Sequence, residues 1–292
     1  MAPSDPTLDH TDFDISHVVL SSFYFMMLIC SLVALINTKA YTSLYTLLFH
    51  LLLMLGAACR AVLFILFPFA AEGVIHLSVN VIDLVATLPT FFFFTVYSIT
   101  MIVGTLIQQE HLPRTVQIDI RKVVPYILFG NLAMYIIVAI LFIVDFTVDA
   151  PAHISSRPTT VTGIIIQLFT SFIYFNGSLF FFIVLFKHYV KHWREFRAAN
   201  RTSEFSTVRK MFALVFPFSS VSFMIRATLA AVTAFVVIRS WYKDLLYYTF
   251  LEVLPVSFLL LIMSQRTTIR LLRIAFLEPE RQPIMAHLQP LV

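Results

Sequence analysis

Four ionisable side chains stand in stretches that are otherwise almost pure hydrocarbon: Arg60, Asp83, Arg226 and Glu252. An ionised group in lipid costs roughly 2.5 to 3.5 kcal/mol even on the mild insertion scales. Such groups persist where they pair inside a helix bundle, or where they serve a path or a pocket. Two of the four are cationic and two anionic, so together they carry no net charge. That balance favours a buried ionic lock that fixes helix register over a pocket awaiting a charged ligand. His50, Asn131 and Asn176 are the further polar residues in these stretches. Each is expected to make an interhelical hydrogen bond rather than to hold a ligand.

Other chemistries find little support. The close histidine pair, His188 and His192, lies in a basic stretch with Glu195 as its neighbouring acid. Zinc needs four converging ligands, so no metal site is expected there. The sequence has no nucleophile elbow, no phosphate-binding loop and only six glycines with which to build a nucleotide turn. Paired intramembrane aspartates are missing, and so is a lysine in the last apolar stretch for a retinal Schiff base. Neither an enzyme nor a bound cofactor is expected.

The elements that must position the four charges follow from composition. Of 292 residues, 59% are hydrophobic, 15% aromatic and 12% charged, with mean hydropathy +0.88. Soluble domains carry about 25% charged residues. An all-α integral membrane protein is therefore expected. A span needs about 20 apolar residues. Seven such stretches run Ile15–Ile36, Leu44–Phe69, Val81–Ile107, Val123–Val144, Thr162–Phe186, Met211–Ile238 and Leu245–Ser264. They are too long and too uniformly apolar for barrel strands. Pro89, Pro125, Pro217 and Pro255 fall inside them and are read as kinks. Cys30 and Cys59 also lie in spans, so no loop disulfide can form.

Basic residues set the direction. With the N-terminus outside or lumenal, fifteen Lys and Arg lie on the cytosolic side and three (Arg157, Arg239, Lys243) on the other. The positive-inside rule then places the C-terminus in the cytosol. Residues 1–14 carry Asp5, Asp9, Asp12 and Asp14 without a Lys or Arg, the reverse of a basic leader region, so the first span is expected to be retained. The expected organisation is a short acidic tail over 1–14, a bundle over 15–264, and a cytosolic segment over 265–292. That last segment opens with Ile269, Leu272 and Phe276 on one helical face and Arg266, Arg270 and Arg273 on another, which suits a short interfacial helix. In this topology all four buried charges sit on the lumenal side of the midplane. Helix seven can touch both two and six, so Glu252 is expected to pair with Arg60, with Arg226 and Asp83 as secondary partners.

The longest cytosolic loop interleaves Lys187, Lys191, Arg194 and Arg197 with Tyr189, Trp193 and Phe196. Anchoring by positive charge explains most of it. The sharper reading is a surface formed by Lys187, Lys191, Trp193, Arg194 and Arg197 that meets anionic headgroups or a cytosolic partner. The overall basicity reflects these loops, and nucleic acid is not an expected partner.

Seven spans with an outside N-terminus suggest a G-protein-coupled receptor, but the rhodopsin-like signatures are missing: helix three ends in VGTLIQQEH, and helix seven has no NPxxY. Three other stretches are more telling: CRAVLF from Cys59, DLVATLPTFFFFTVYS from Asp83, and LEVLPVSFLLLIMSQR from Leu251. On these the chain resembles the tobamovirus-multiplication family of plants and its lysosomal orphan-receptor-like animal relatives, over about residues 15 to 270. Arg60, Asp83 and Glu252 lie in the shared motifs, and Arg226 matches an arginine of the sixth span more loosely. The resemblance implies a vacuolar, lysosomal or related endomembrane. It also implies work through cytosolic proteins: viral replication proteins in plants, small GTPases and nutrient signalling in animals. A scaffold or recruiter of such partners is the expected function, with trafficking factors among them. A ligand-activated receptor coupled to G proteins is the alternative, and a transporter is weaker because no broken glycine-rich helix is visible.

Overall fold

A computed structural model of the chain describes residues 10–37, 44–75, 78–109, 120–148, 161–186, 206–236, 241–265 and 268. Every expected span is a helix: α1 (His10–Asn37), α2 (Leu44–Ala71), α3 (Val79–Gln109), α4 (Ile120–Val148), α5 (Val161–Leu185) and α6 (Ser206–Thr233). The seventh, α7, runs in three pieces: Trp241–Tyr248, a π-helical turn Thr249–Val253, and Leu254–Met263. No strand occurs among the described residues. Seven of these segments are long and apolar enough to cross a bilayer. The chain is an all-α membrane protein.

Observed helices outrun the apolar stretches. The 28 residues of α1 rise about 42 Å, against a hydrocarbon core of about 30 Å. Polar end turns continue the helix into the interface, where water and headgroups satisfy the last backbone groups. The sixth helix differs most from expectation. It starts at Ser206 and ends at Thr233, several residues before Ile238. The second helix stops at Gly73, whose φ of +75° is open to glycine without steric penalty. There the Val74 and Gly73 amides return to the Phe69 and Ala70 carbonyls in a Schellman cap.

Helix α3 forms the hub, packing on α2, α4, α5, α6 and α7. In an 18-residue apolar stretch of α3, 61% of residues are buried, against 22% in that of α4, which lies at the periphery. Outward faces are apolar: Phe129 and Leu214 are 70% and 73% exposed, a surface that only lipid covers at low cost. Lipid removes most of the hydrophobic drive between helices, so close packing and hydrogen bonds must hold them together. Both are visible between α5 and α6. Ser178 Oγ donates to the Ser220 carbonyl at 2.8 Å, Ser220 Oγ donates back to Ser178 at 3.0 Å, and Ser171 Oγ reaches the Ala227 carbonyl at 2.7 Å. Ser21 Oγ joins α1 to the Ala61 carbonyl of α2 at 3.0 Å.

Aromatic rings fill the middle. Phe223 of α6 touches the rings of Tyr97, Tyr174, Phe181 and Phe94, with centroids 4.6 to 5.9 Å apart. Offset and edge-on pairs of this kind add about 0.5 to 1.5 kcal/mol each beyond area burial. The expected amphipathic segment after α7, and the cytosolic loop with Lys187, Lys191, Trp193, Arg194 and Arg197, lie outside the described residues.

Candidate functional site

Glu252 is fully buried at the centre of a junction of six helices, α1, α2, α3, α5, α6 and α7. Its place depends on an irregularity in α7. Pro255 has no backbone N–H, so the Leu251 carbonyl four residues earlier loses its helical partner. Ser222 Oγ of α6 donates to that carbonyl at 3.0 Å instead. Just before the proline the helix widens into the π turn, which holds Glu252. Single π turns of this sort redirect side chains that a regular helix would aim elsewhere.

Both carboxylate oxygens are engaged. Oε1 accepts from Tyr24 Oη of α1 at 2.6 Å and from Arg60 Nε of α2 at 2.8 Å. Oε2 accepts from Arg60 Nη2 at 3.2 Å and from Arg226 Nη2 of α6. The Nε and Nη2 fork of Arg60 thus grips the carboxylate side-on, in the bidentate geometry that makes Arg–carboxylate pairs strong. Arg60 has two further partners on α3. Nη1 donates to the Ala86 carbonyl at 2.6 Å, and Nη2 donates to Thr90 Oγ1 at 3.1 Å. These residues flank Pro89, so the guanidinium sits in the helical turn that the proline disturbs.

Rings close the cluster. The Tyr248 ring lies under the Arg60 guanidinium at 4.7 Å, and the Tyr174 ring lies under that of Arg226 at 4.4 Å. Arg226 Nε also donates to Tyr247 Oη at 3.3 Å. A desolvated cation over a ring face gains about 2 kcal/mol or more. Arg60, Arg226 and Glu252 are exposed by only 0 to 2%, so water has no direct access to any of them.

The structure therefore brings three of the four charged residues together. Glu252 bridges Arg60 and Arg226, each of which contacts the carboxylate directly. Asp83 is half-buried in α3, about one turn before Ala86, toward the start of that helix. Four cluster members were not singled out in the sequence: Tyr24, Tyr174, Tyr247 and Tyr248. One signal was available, since Tyr248 stands four residues before Glu252 on the same helix, where side chains meet. A further buried acid is Asp145 of α4, which the apolar count placed just beyond its span; its carbonyl accepts from Asn80 Nδ2 at 3.1 Å.

Among the other polar residues, His50 Nδ1 lies 3.0 Å from Ser31 Oγ, between α2 and α1. Asn131 accepts from Thr95 Oγ1 at 3.0 Å, between α4 and α3. Asn176 is a correction. It is exposed and donates at 2.7 Å to the Phe172 carbonyl of its own helix, because it faces outward beside Phe172 and Phe175.

The geometry can hold helices in register and can store charge out of water. Comparison with known proteins places it in a family. No curated protein and no solved structure matches the chain. The family model of the THH1/TOM1/TOM3 domain matches residues 8–273, which takes in all seven helices and the whole charged junction, and the chain belongs to that family.

Proposed function

We propose that this protein is a non-enzymatic seven-helix endomembrane protein that recruits or scaffolds cytosolic partners. One observation carries the reading: Arg60, Arg226 and Glu252 are engaged with one another and with tyrosines, at 0 to 2% exposure. Recognition then falls to the membrane surface, where the basic and aromatic loop offers Lys187, Lys191, Trp193, Arg194 and Arg197. Family resemblance points to trafficking factors or small GTPases as the partners, and to a vacuolar or lysosomal membrane. The positive-inside bias supports a cytosolic position for this loop.

Proximity labelling in the native cell, with a fluorescent tag for localisation, tests the proposal. Replacing Lys187, Lys191, Arg194 and Arg197 together with Gln is expected to reduce recovery of cytosolic partners severalfold while the melting temperature stays within about 2 °C of the parent, since surface changes usually stay within about ±0.5 kcal/mol. Unchanged recovery would leave the loop with an anchoring role alone. A rise in guanine-nucleotide exchange when the purified protein is added to a G protein would favour the receptor reading instead.

Topology has its own test. Asn200-Arg201-Thr202 is a formal glycosylation sequon. Its loop is expected in the cytosol, so the site should stay unmodified. A glycosidase-sensitive mass shift that disappears in Asn200→Gln would reverse the orientation.

A further inference from the structure

We propose that Arg226 and Tyr97 hold one small monovalent anion, of chloride or simple carboxylate chemistry, in the middle of the bundle.

The argument begins with the capacity of Glu252. A carboxylate offers about four lone-pair positions. Tyr24, Arg226 and the two donors of Arg60 already fill four. Glu252 therefore has no position left for the remaining nitrogen of Arg226, Nη1. That nitrogen is buried and has no hydrogen-bond partner among the described residues. The same holds for Tyr97 Oη, whose side chain is 1% exposed. A buried donor without an acceptor costs about 1 to 3 kcal/mol, and more when it is charged.

The two groups belong to one neighbourhood. Tyr97 packs against Phe223 at 4.6 Å, and Phe223 stands one turn before Arg226 on α6. Tyr174 packs on Phe223 at 5.3 Å and on the Arg226 guanidinium at 4.4 Å, so it bridges them from α5. The charge of Arg226 acts on the Tyr97 hydroxyl.

Charge and size select the ligand. At this level two guanidinium groups share one carboxylate, which leaves one positive charge in excess. Asp83 stands toward the Arg60 side of the junction, about one turn before Ala86, and fourteen residues before Tyr97 on α3, about 21 Å along the axis. An N–H donor and an O–H donor require an acceptor, and a cation would be repelled. The rings of Tyr97, Phe223 and Phe181 pack edge-on against one another beside these donors. Two donors and one unit of excess charge match a small monovalent anion. Glu252 is left to its lock, and the anion completes the valence of Arg226.

The test is thermal unfolding of the full chain, purified in detergent, in sodium gluconate with stepwise replacement by sodium chloride at constant ionic strength. Ligand that binds the folded state alone raises the midpoint with concentration, and about a hundredfold excess over the dissociation constant should shift it by at least ~2 °C. Tyr97→Phe keeps the ring and removes the donor. It should fold as the parent does in gluconate, and should need at least ~10-fold more chloride for the same shift, as expected for one lost hydrogen bond to a charged group. Sodium acetate serves as the carboxylate arm. A shift with acetate as well as chloride assigns the site to small anions in general, and a shift with chloride alone assigns it to halide. A midpoint that does not depend on the anion, or a Tyr97→Phe curve that overlays the parent, overturns the proposal.

Discussion

Glu252→Gln is expected to destabilise the bundle more than either Arg60→Gln or Arg226→Gln. The reason is the sharing of one carboxylate by two cations. Losing Arg60 leaves Glu252 with Arg226, and losing Arg226 leaves it with Arg60. Losing the carboxylate leaves two buried guanidinium groups facing a neutral amide. Breaking a buried pair from one side typically costs about 3 to 5 kcal/mol. The glutamate variant should reach or exceed the upper end, because two cations are stranded, and the arginine variants should fall at or below the lower end. The Arg60→Gln/Glu252→Gln double variant should lose less than the sum of the single losses, with a coupling energy of at least ~1 kcal/mol as the mark of contact. It does not return to the parent, because Arg226 then remains alone. Only the triple Gln variant removes every charge of the junction, and it should be more stable than Glu252→Gln. Denaturant or thermal unfolding in detergent reads all of these. Strict additivity would mean that Arg60 and Glu252 do not couple, and a Glu252→Gln variant as stable as the arginine ones would mean that the two cations do not share its carboxylate.

What could be read in the sequence follows from contrast. Arg60, Arg226 and Glu252 stand out because lipid makes charge expensive, and the depth of each along its helix follows from a fixed rise per residue. Their tyrosine partners do not stand out. The chain has 31 Phe and 11 Tyr, and an aromatic residue in an apolar span is ordinary. Only the facing of helices tells Tyr24, whose hydroxyl reaches Glu252 at 2.6 Å, from its exposed neighbours Phe23 and Phe25. Pro255 marked a break in helix seven, but the form of the break was hidden. The π turn and the Ser222 hydrogen bond that replaces the lost amide depend on which helix lies alongside. Helix ends were blurred for a related reason: apolar stretches measure the hydrocarbon layer, whereas a helix continues as long as its backbone is satisfied. Asp145 shows the limit of counting charges, since an acid at the edge of a span looks solvated until a residue such as Asn80 is found packed against it.

Gly177→Ala is expected to be destabilising, while Gly130→Ala is not. The two glycines lie inside helices, where a shift to alanine by itself gains about 0.5 to 1 kcal/mol through lower backbone entropy. What differs is the space for one methyl group. At Gly177 of α5 a Cβ would stand 2.8 Å from Phe223 Cδ2 and 2.9 Å from Phe94 Cε2. The Phe223 ring is not free to turn away. Phe223 is fully buried and holds Tyr97, Tyr174 and Phe181 around it, so a shift there passes to every ring in the core. Overpacking a tight core costs about 1 to 3 kcal/mol, which exceeds the propensity gain. The serine exchanges of Ser178 and Ser171 with α6 would lengthen as the helices part. At Gly130 of α4 a Cβ would meet nothing within 4 Å, on an exposed face. The alanine there should leave the unfolding midpoint unchanged or slightly raised. A matched pair of melting curves decides the matter. Equal midpoints for the two variants would mean that α5 and α6 approach less closely than described, and the Phe223 ring cluster would then lose its place as the rigid floor beneath Arg226.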